Sequence, residues 1–170
     1  MTGAAPRWEL GISLPGDWNR VDLADPAPPG VPDEVVQALR DLGLMDLDAA
    51  REVRLAATLV DPGSEDYDGP PLVAGMVVLS TDADRPTAFE RTPQGQVVPH
   101  RKVARARLEW PDGVGRVVLH HVSYTLPAPS GPQVFVLEFT TPNLPFAAEL
   151  ETVFDAAVST VRFAQRTAAG

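Results

Sequence analysis

The sequence predicts an α+β domain: an antiparallel β-sheet opened by an N-terminal hairpin, with one helix on each face. Three observations predict it. Apolar runs with the two-residue period of strands recur from residue 8 to residue 139, separated by Pro, Gly and Asp turns. A strongly amphipathic helical segment closes the chain. A second helical stripe stands between the opening hairpin and the later strands.

The closing region, Gln133 to Phe163, organises the rest. Val134-Phe135-Val136-Leu137-Glu138-Phe139 sets Phe135, Leu137 and Phe139 on one face and Val134 and Val136 on the other, as in a strand covered on both sides. Pro142 and Pro145 end the ladder, because proline has no N–H to donate. Asn143 is placed to cap the helix that follows, with Pro145 where early-helix donors are orphaned anyway. Phe146, Leu150, Val153, Phe154, Ala157 and Val161 recur at the spacing of one helical face, and Glu151, Thr152, Asp155 and Ser159 fall opposite as a wet side. Four large side chains buried at about 1.5–3 kcal/mol each contribute roughly 6–12 kcal/mol. That is comparable with the net stability of a whole domain, about 5–15 kcal/mol.

From the N-terminus, Trp8, Leu10, Ile12 and Leu14 alternate with polar or small residues, Pro15-Gly16-Asp17 is turn chemistry, and Trp18 to Leu23 alternates again; together they predict the hairpin. Ala24 to Pro32, rich in proline, connects to a helix near Asp33, whose stripe is Val35, Val36, Leu39 and Leu42 and whose stop is Gly43. Asp46 to Glu52 reads as a short helical turn. Val53 to Val60 suits either state; Asp61-Pro62-Gly63 closes it abruptly and favours a strand. Leu72 to Leu79 is continuous enough to be central in a sheet. Asp82 to Pro99 reads as a long irregular loop. Arg101 to Arg107 alternates basic and apolar residues like an edge or half-exposed strand, and Asp112-Gly113 turns the chain into a strand from Arg116 to Leu126.

At 170 residues, the chain suits a single domain with a substantial core. A formal net charge of −9 disfavours nucleic acid and anionic membranes as partners. There is no cysteine, which removes disulfides, thiol catalysis and thiolate-bound zinc. No segment has the apolar core of a signal peptide or a membrane span, so the expected compartment is the cytoplasm. Abundant Pro, Ala, Arg, Val and Asp fit a GC-rich, bacterial coding bias.

Candidate chemistry fails on missing partners. His120 and His121 are neighbours in a strand, so their rings point to opposite faces and cannot share one metal. His100 lies in a basic loop. Glu65-Asp66-Tyr67-Asp68-Gly69 echoes part of a calcium loop but lacks its later ligands. Ser64 and Ser130 lack the setting of a nucleophile, and Gly113-Val114-Gly115 lacks the Lys and Ser/Thr of a phosphate loop. No catalytic, cofactor or metal residue is therefore assigned. Among the tryptophans, Trp8 and Trp18 suit a core, and Trp110, before Pro111 at a strand end, is the one placed for a partner contact.

Two stretches carry a family resemblance. Ile12-Ser13-Leu14-Pro15-Gly16-Asp17-Trp18 is similar to the opening hairpin of the PsbP-like fold group, and Phe154-Asp155-Ala156-Ala157-Val158-Ser159-Thr160-Val161-Arg162-Phe163 resembles its terminal helix running into a short strand. That group includes the photosystem II PsbP subunit, a Ran-binding nuclear import factor and LpqN-type lipoproteins. It has no common catalytic residues, and the lipoproteins' anchoring cysteine is missing here. The resemblance implies a non-enzymatic protein-binding or assembly/secretion-accessory module. The alternative is a small-molecule-binding protein or hydrolase with a pocket between sheet and closing helix and the loop 82–99 as a lid.

Overall fold

The computed structural model describes residues 7–16, 18–21, 52–61, 63, 69, 71–82, 89–109 and 115–166. Within them a six-stranded antiparallel sheet has the order β2-β3-β4-β7-β6-β5. Its strands are β2 (Trp18–Val21), β3 (Glu52–Asp61), β4 (Leu72–Asp82), β5 (His100–Glu109), β6 (Arg116–Pro127) and β7 (Gln133–Thr141). A two-stranded sheet pairs β1 (Trp8–Gly11) with β8 (Arg162–Gln165). A 3-10 turn, Leu144–Phe146, leads into the helix α1 (Ala147–Ser159), which makes the class α+β.

The apolar runs become the middle of the sheet. β4 and β7 are bonded on both sides, and their register sets Met76 opposite Phe139, Val78 opposite Leu137 and Ser80 opposite Phe135. Residues directly opposite share a face, so these pairs form one continuous buried surface. α1 covers it with Leu150, Phe154, Ala157 and Val158. Phe154 is 0% exposed and Leu150 3%. Phe139 is the hub: it stacks on Phe154 at 4.5 Å and meets Trp18 and Tyr124 at right angles at 6.4 and 5.8 Å. Phe163 of β8 reaches Phe135 at 5.5 Å, so the small sheet continues the cover beyond the helix C-terminus. On the opposite face Val134 is buried and Val136, Glu138 and Thr140 are half-buried, so the cover expected on both sides of β7 is complete on the helix side and partial on the other.

The expected N-terminal hairpin takes another form. Trp8–Gly11 and Trp18–Val21 are strands, but β1 pairs with β8 and β2 with β3. The segment between them is anchored, which is why it does not act as a tight turn. Ile12 is buried in the core, and the Ser13 N–H donates to Thr160 Oγ1 (2.9 Å), whose hydroxyl faces Ser13 O at 3.2 Å. Gly16 adopts φ +71°, a left-handed conformation that glycine tolerates.

The ambiguous Val53 to Val60 segment is strand, Leu72 to Leu79 is central, and the basic stretch forms the edge strand β5. Part of the expected irregular loop is ordered by its own backbone. Arg91 bridges Val97, and Gly95 N donates to Thr92 O (2.8 Å) with Gly95 at φ +81°. The helix expected from Asp33 to Gly43, and hence the helix on the second face, lies outside the described residues; so does the expected helical turn from Asp46, apart from Glu52, which begins β3.

Candidate functional site

The best-connected group of polar side chains joins α1 to the far side of the sheet. Glu151 and Asp155 stand one helical turn apart, so they share a helix face. His120 and Tyr124 lie on one face of β6, and the β5–β6 register sets Arg101 opposite Tyr124. Packing brings the two sets together. Arg101 Nη2 donates to Glu151 Oε2 and Arg101 Nε to Asp155 Oδ1 (3.2 Å). The Tyr124 hydroxyl donates to the same Asp155 oxygen (2.6 Å). His120 Nε2 meets Glu151 Oε1 at 2.7 Å; a carboxylate only accepts, so that nitrogen carries the proton. The Arg101 guanidinium also lies 5.9 Å from the Tyr124 ring centre. The face expected to be wet is exposed at Thr152, Asp155 and Ser159 and half-buried at Glu151, and Glu151 and Asp155 also bond to the sheet.

Electrostatics hold Arg101, Glu151 and Tyr124 each in one state. Hydrogen bonding from Arg101 holds the Glu151 carboxyl below the usual carboxylate range, against the opposing effect of burial. Burial first, then the bond to Asp155, pushes the Tyr124 phenol well above the ordinary tyrosine range. Bonds to Tyr124 and Glu151 raise the Arg101 guanidinium further, so it stays charged. A phenol held protonated and a carboxylate held ionised against an arginine do not exchange protons at neutral pH. His120 Nδ1 is buried without a hydrogen-bond partner among the described residues. The cluster fastens α1 to β5 and β6, and the Asp155 side chain stays 53% exposed within it. No three His, Asp or Glu side chains converge as a metal site among the described residues.

Two open clefts flank α1. One, about 340 Å³, lies toward the β3–β4 side and is lined by Asp61, Gly63, Leu72, Phe146, Glu149, Leu150 and Val153. The other, about 250 Å³, lies over the polar cluster toward β5 and β6, with Pro99, Val158 and Ser159 beside Arg101, Tyr124 and Asp155. Phe146, expected on the buried helical face, is 39% exposed. The reason is local: it ends the 3-10 turn that begins at Leu144, one residue before α1 begins, so it falls outside the helical phase.

The residues singled out by sequence are dispersed. Trp110, the candidate partner contact, lies outside the described residues, as do Ser64, residues 65–68 of the acidic loop, Gly113 and Val114. Trp18 packs on Phe139, and the Trp8 indole donates to Ser130 O (3.1 Å). His100 is exposed at the start of β5, and His121, on the face opposite His120, stands 3.7 Å from Glu138. Asn143 is not a helix cap. Its Oδ1 accepts from Val73 N (2.7 Å) and its Nδ2 donates to Pro71 O (3.0 Å), fastening the start of β4 where its ladder with β7 has ended. The Arg101 cluster was detectable from spacing: two same-face pairs, His120/Tyr124 on a strand and Glu151/Asp155 on a helix, carry complementary chemistry. Among the described residues, no helix is long and apolar enough to cross a membrane. Comparison of the chain with family models, curated proteins and solved structures finds no match.

Proposed function

We propose that the chain is a non-enzymatic protein-binding or assembly module on a PsbP-like frame, acting in the cytoplasm, and that it takes a partner's apolar side chain into the cleft beside α1. The observation that carries this reading is the open mouth of that cleft. Leu72, Leu150 and Val153 make an apolar floor, and Phe146 stands 39% exposed at its side. Covering such a patch with a partner's side chain gains about 25 cal/mol for each Å² of apolar surface removed from water. Asp61 and Glu149 on the rim favour basic residues next to the inserted one. The non-enzymatic part rests on the polar cluster, in which Arg101 is paired with Glu151 and Asp155 and the Tyr124 phenol is held protonated.

The small-molecule reading keeps one supporting observation. A volume of about 340 Å³ lies at the lower end of ligand pockets. The space directly under α1 does not serve it, because Phe154 and Phe139 fill it in stacked contact at 4.5 Å. An array of peptides, each with one aromatic or aliphatic residue flanked by Lys/Arg or by Asp/Glu, separates the readings. Retention of the basic-flanked set, lost with Phe146→Ser, supports protein binding. Indifference to every peptide, with a cleft-dependent shift for small apolar dyes, supports the alternative.

A further inference from the structure

We infer that the outer edge of β5 docks an extended acidic segment of a partner protein, added to the six-stranded sheet as a further antiparallel or parallel strand. This rests on the reading of the chain as a protein-binding module, but on a surface separate from the cleft beside α1.

β5 ends the sheet and, among the described residues, pairs only with β6. Along His100–Glu109 every second residue therefore directs its N–H and C=O away from the sheet, which is the template that strand addition uses. Charge says what kind of strand fits. The chain has 23 Asp and Glu against 14 Lys and Arg, yet Arg101, Lys102, Arg105 and Arg107 all lie in this one strand. Arg101 is committed to Glu151 and Asp155. Lys102, Arg105 and Arg107 are exposed and make no ion pair among the described residues.

The register makes the fit specific. Arg105 lies opposite His120 and Arg107 opposite Val118, on the same face as Arg101, with Val103, 43% exposed, between Arg101 and Arg105. Residues two apart on a strand are about 6.6–6.8 Å apart. A neighbouring strand would bring its own side chains within about 4.5–5.5 Å of them. Carboxylates at alternate positions would meet Arg105 and Arg107, and an apolar residue would cover Val103. Cations on an edge strand also deter self-pairing, since a second copy would bring two sets of arginines together. An acidic strand meets no such repulsion. The net charge of −9 disfavours a long nucleic-acid polyanion, which moreover has no amide backbone to pair with the strand.

The test uses the full chain and a fluorescein-labelled peptide of alternating Glu and Thr, the length of β5, read by fluorescence anisotropy. Parallel probes are the same peptide with Lys for Glu, the Glu peptide N-methylated at alternate residues, and single-stranded oligothymidylate. The Glu peptide is expected to bind, and the Lys peptide is not. N-methylation, which keeps the charge but blocks the backbone bonds, is expected to weaken binding at least about tenfold, and so is Arg105→Glu/Arg107→Glu. The double variant changes exposed side chains and is checked for an unchanged melting temperature. Phe146→Ser is expected to leave binding intact. No binding of the Glu peptide, equal binding of its N-methylated form, or preferential binding of oligothymidylate would overturn the inference. Each of these outcomes leaves the α1 cleft, tested by its own variant, unaffected.

Discussion

Gln133 holds Trp8 as a neighbouring strand would. Its side-chain oxygen accepts from the Trp8 N–H at 2.8 Å, and its amide nitrogen donates to the Trp8 carbonyl at 3.1 Å and to Ser80 Oγ at 3.1 Å. The residue is 2% exposed, and its bond to Ser80 is fully buried while those to Trp8 are partly so. This buried amide links the two-stranded sheet to the six-stranded one and fixes where β1 runs.

Replacing Gln133 by Leu keeps approximate volume and removes all three bonds. Loss of a partner for a buried donor or acceptor costs about 1–3 kcal/mol, so Gln133→Leu is expected to lower stability by about that amount or more. The check is urea denaturation, joined by amide exchange. Protection should fall first at Trp8–Gly11 and Arg162–Gln165, and persist in β4 and β7.

Asn143→Ala distinguishes a strand clasp from a helix cap. With Val73 N–H and Pro71 C=O left without their partner, a loss of about 1–3 kcal/mol is expected. Exchange at the Val73 amide should accelerate while the first turn of α1 stays as protected as before. Fraying of that turn instead would restore the capping role.

The Arg101 cluster sets an acid limit. Glu151 has a folded-state pKa below its ordinary 4.5, chiefly through the bond from Arg101. A depressed carboxylate contributes stability that is complete above its unfolded pKa and is lost as pH falls through the folded one. Stability should therefore be level above about pH 5 and decline below the ordinary carboxylate value of 4.5. In Glu151→Gln the part of that decline due to this group should vanish, as denaturation midpoints across the acid range would show.

Tyr124 sets the opposite limit. Its phenol is raised by burial and by Asp155, so the folded state keeps a proton that the unfolded chain releases near pH 10. Stability from this group is present below pH 10 and is lost as pH rises beyond it. The absorbance difference between the wild type and Tyr124→Phe should show no phenolate from this residue at pH 10 while the protein is folded. Tyr124→Phe itself should cost about 0.5–1.5 kcal/mol at neutral pH, because one hydrogen bond goes and Arg101 remains on Asp155.

What was legible in the sequence was whatever has a local period. Phe135, Leu137 and Phe139 sit two apart, Leu150, Phe154 and Ala157 three or four apart, and both sets are buried face to face. Partner choice has no such signature. Pro15-Gly16-Asp17 looks like a turn between adjacent strands, yet β1 and β2 lie in different sheets because Gln133, Thr160 and Phe163, all more than a hundred residues away, hold the first of them and the segment after it. Asn143 was misassigned for a related reason. Its spacing from α1 suits a cap, but the open end of β4 offers an N–H and a C=O that its buried side chain satisfies together. The Arg101 cluster joins three elements, and only the two same-face pairs within elements were visible beforehand.

The central claim is that binding happens on the surface around a filled interior, at the cleft that Phe146 borders. Its most direct test is affinity capture from a lysate of the source cells, run side by side with wild type and Phe146→Ser at matched melting temperature, with bound proteins identified by mass spectrometry. The account predicts at least one protein retained by the wild type and missing from the variant, whose complex shields residues 146–153 from amide exchange. Identical capture by both proteins, or a complex that leaves residues 146–153 unshielded, would contradict it.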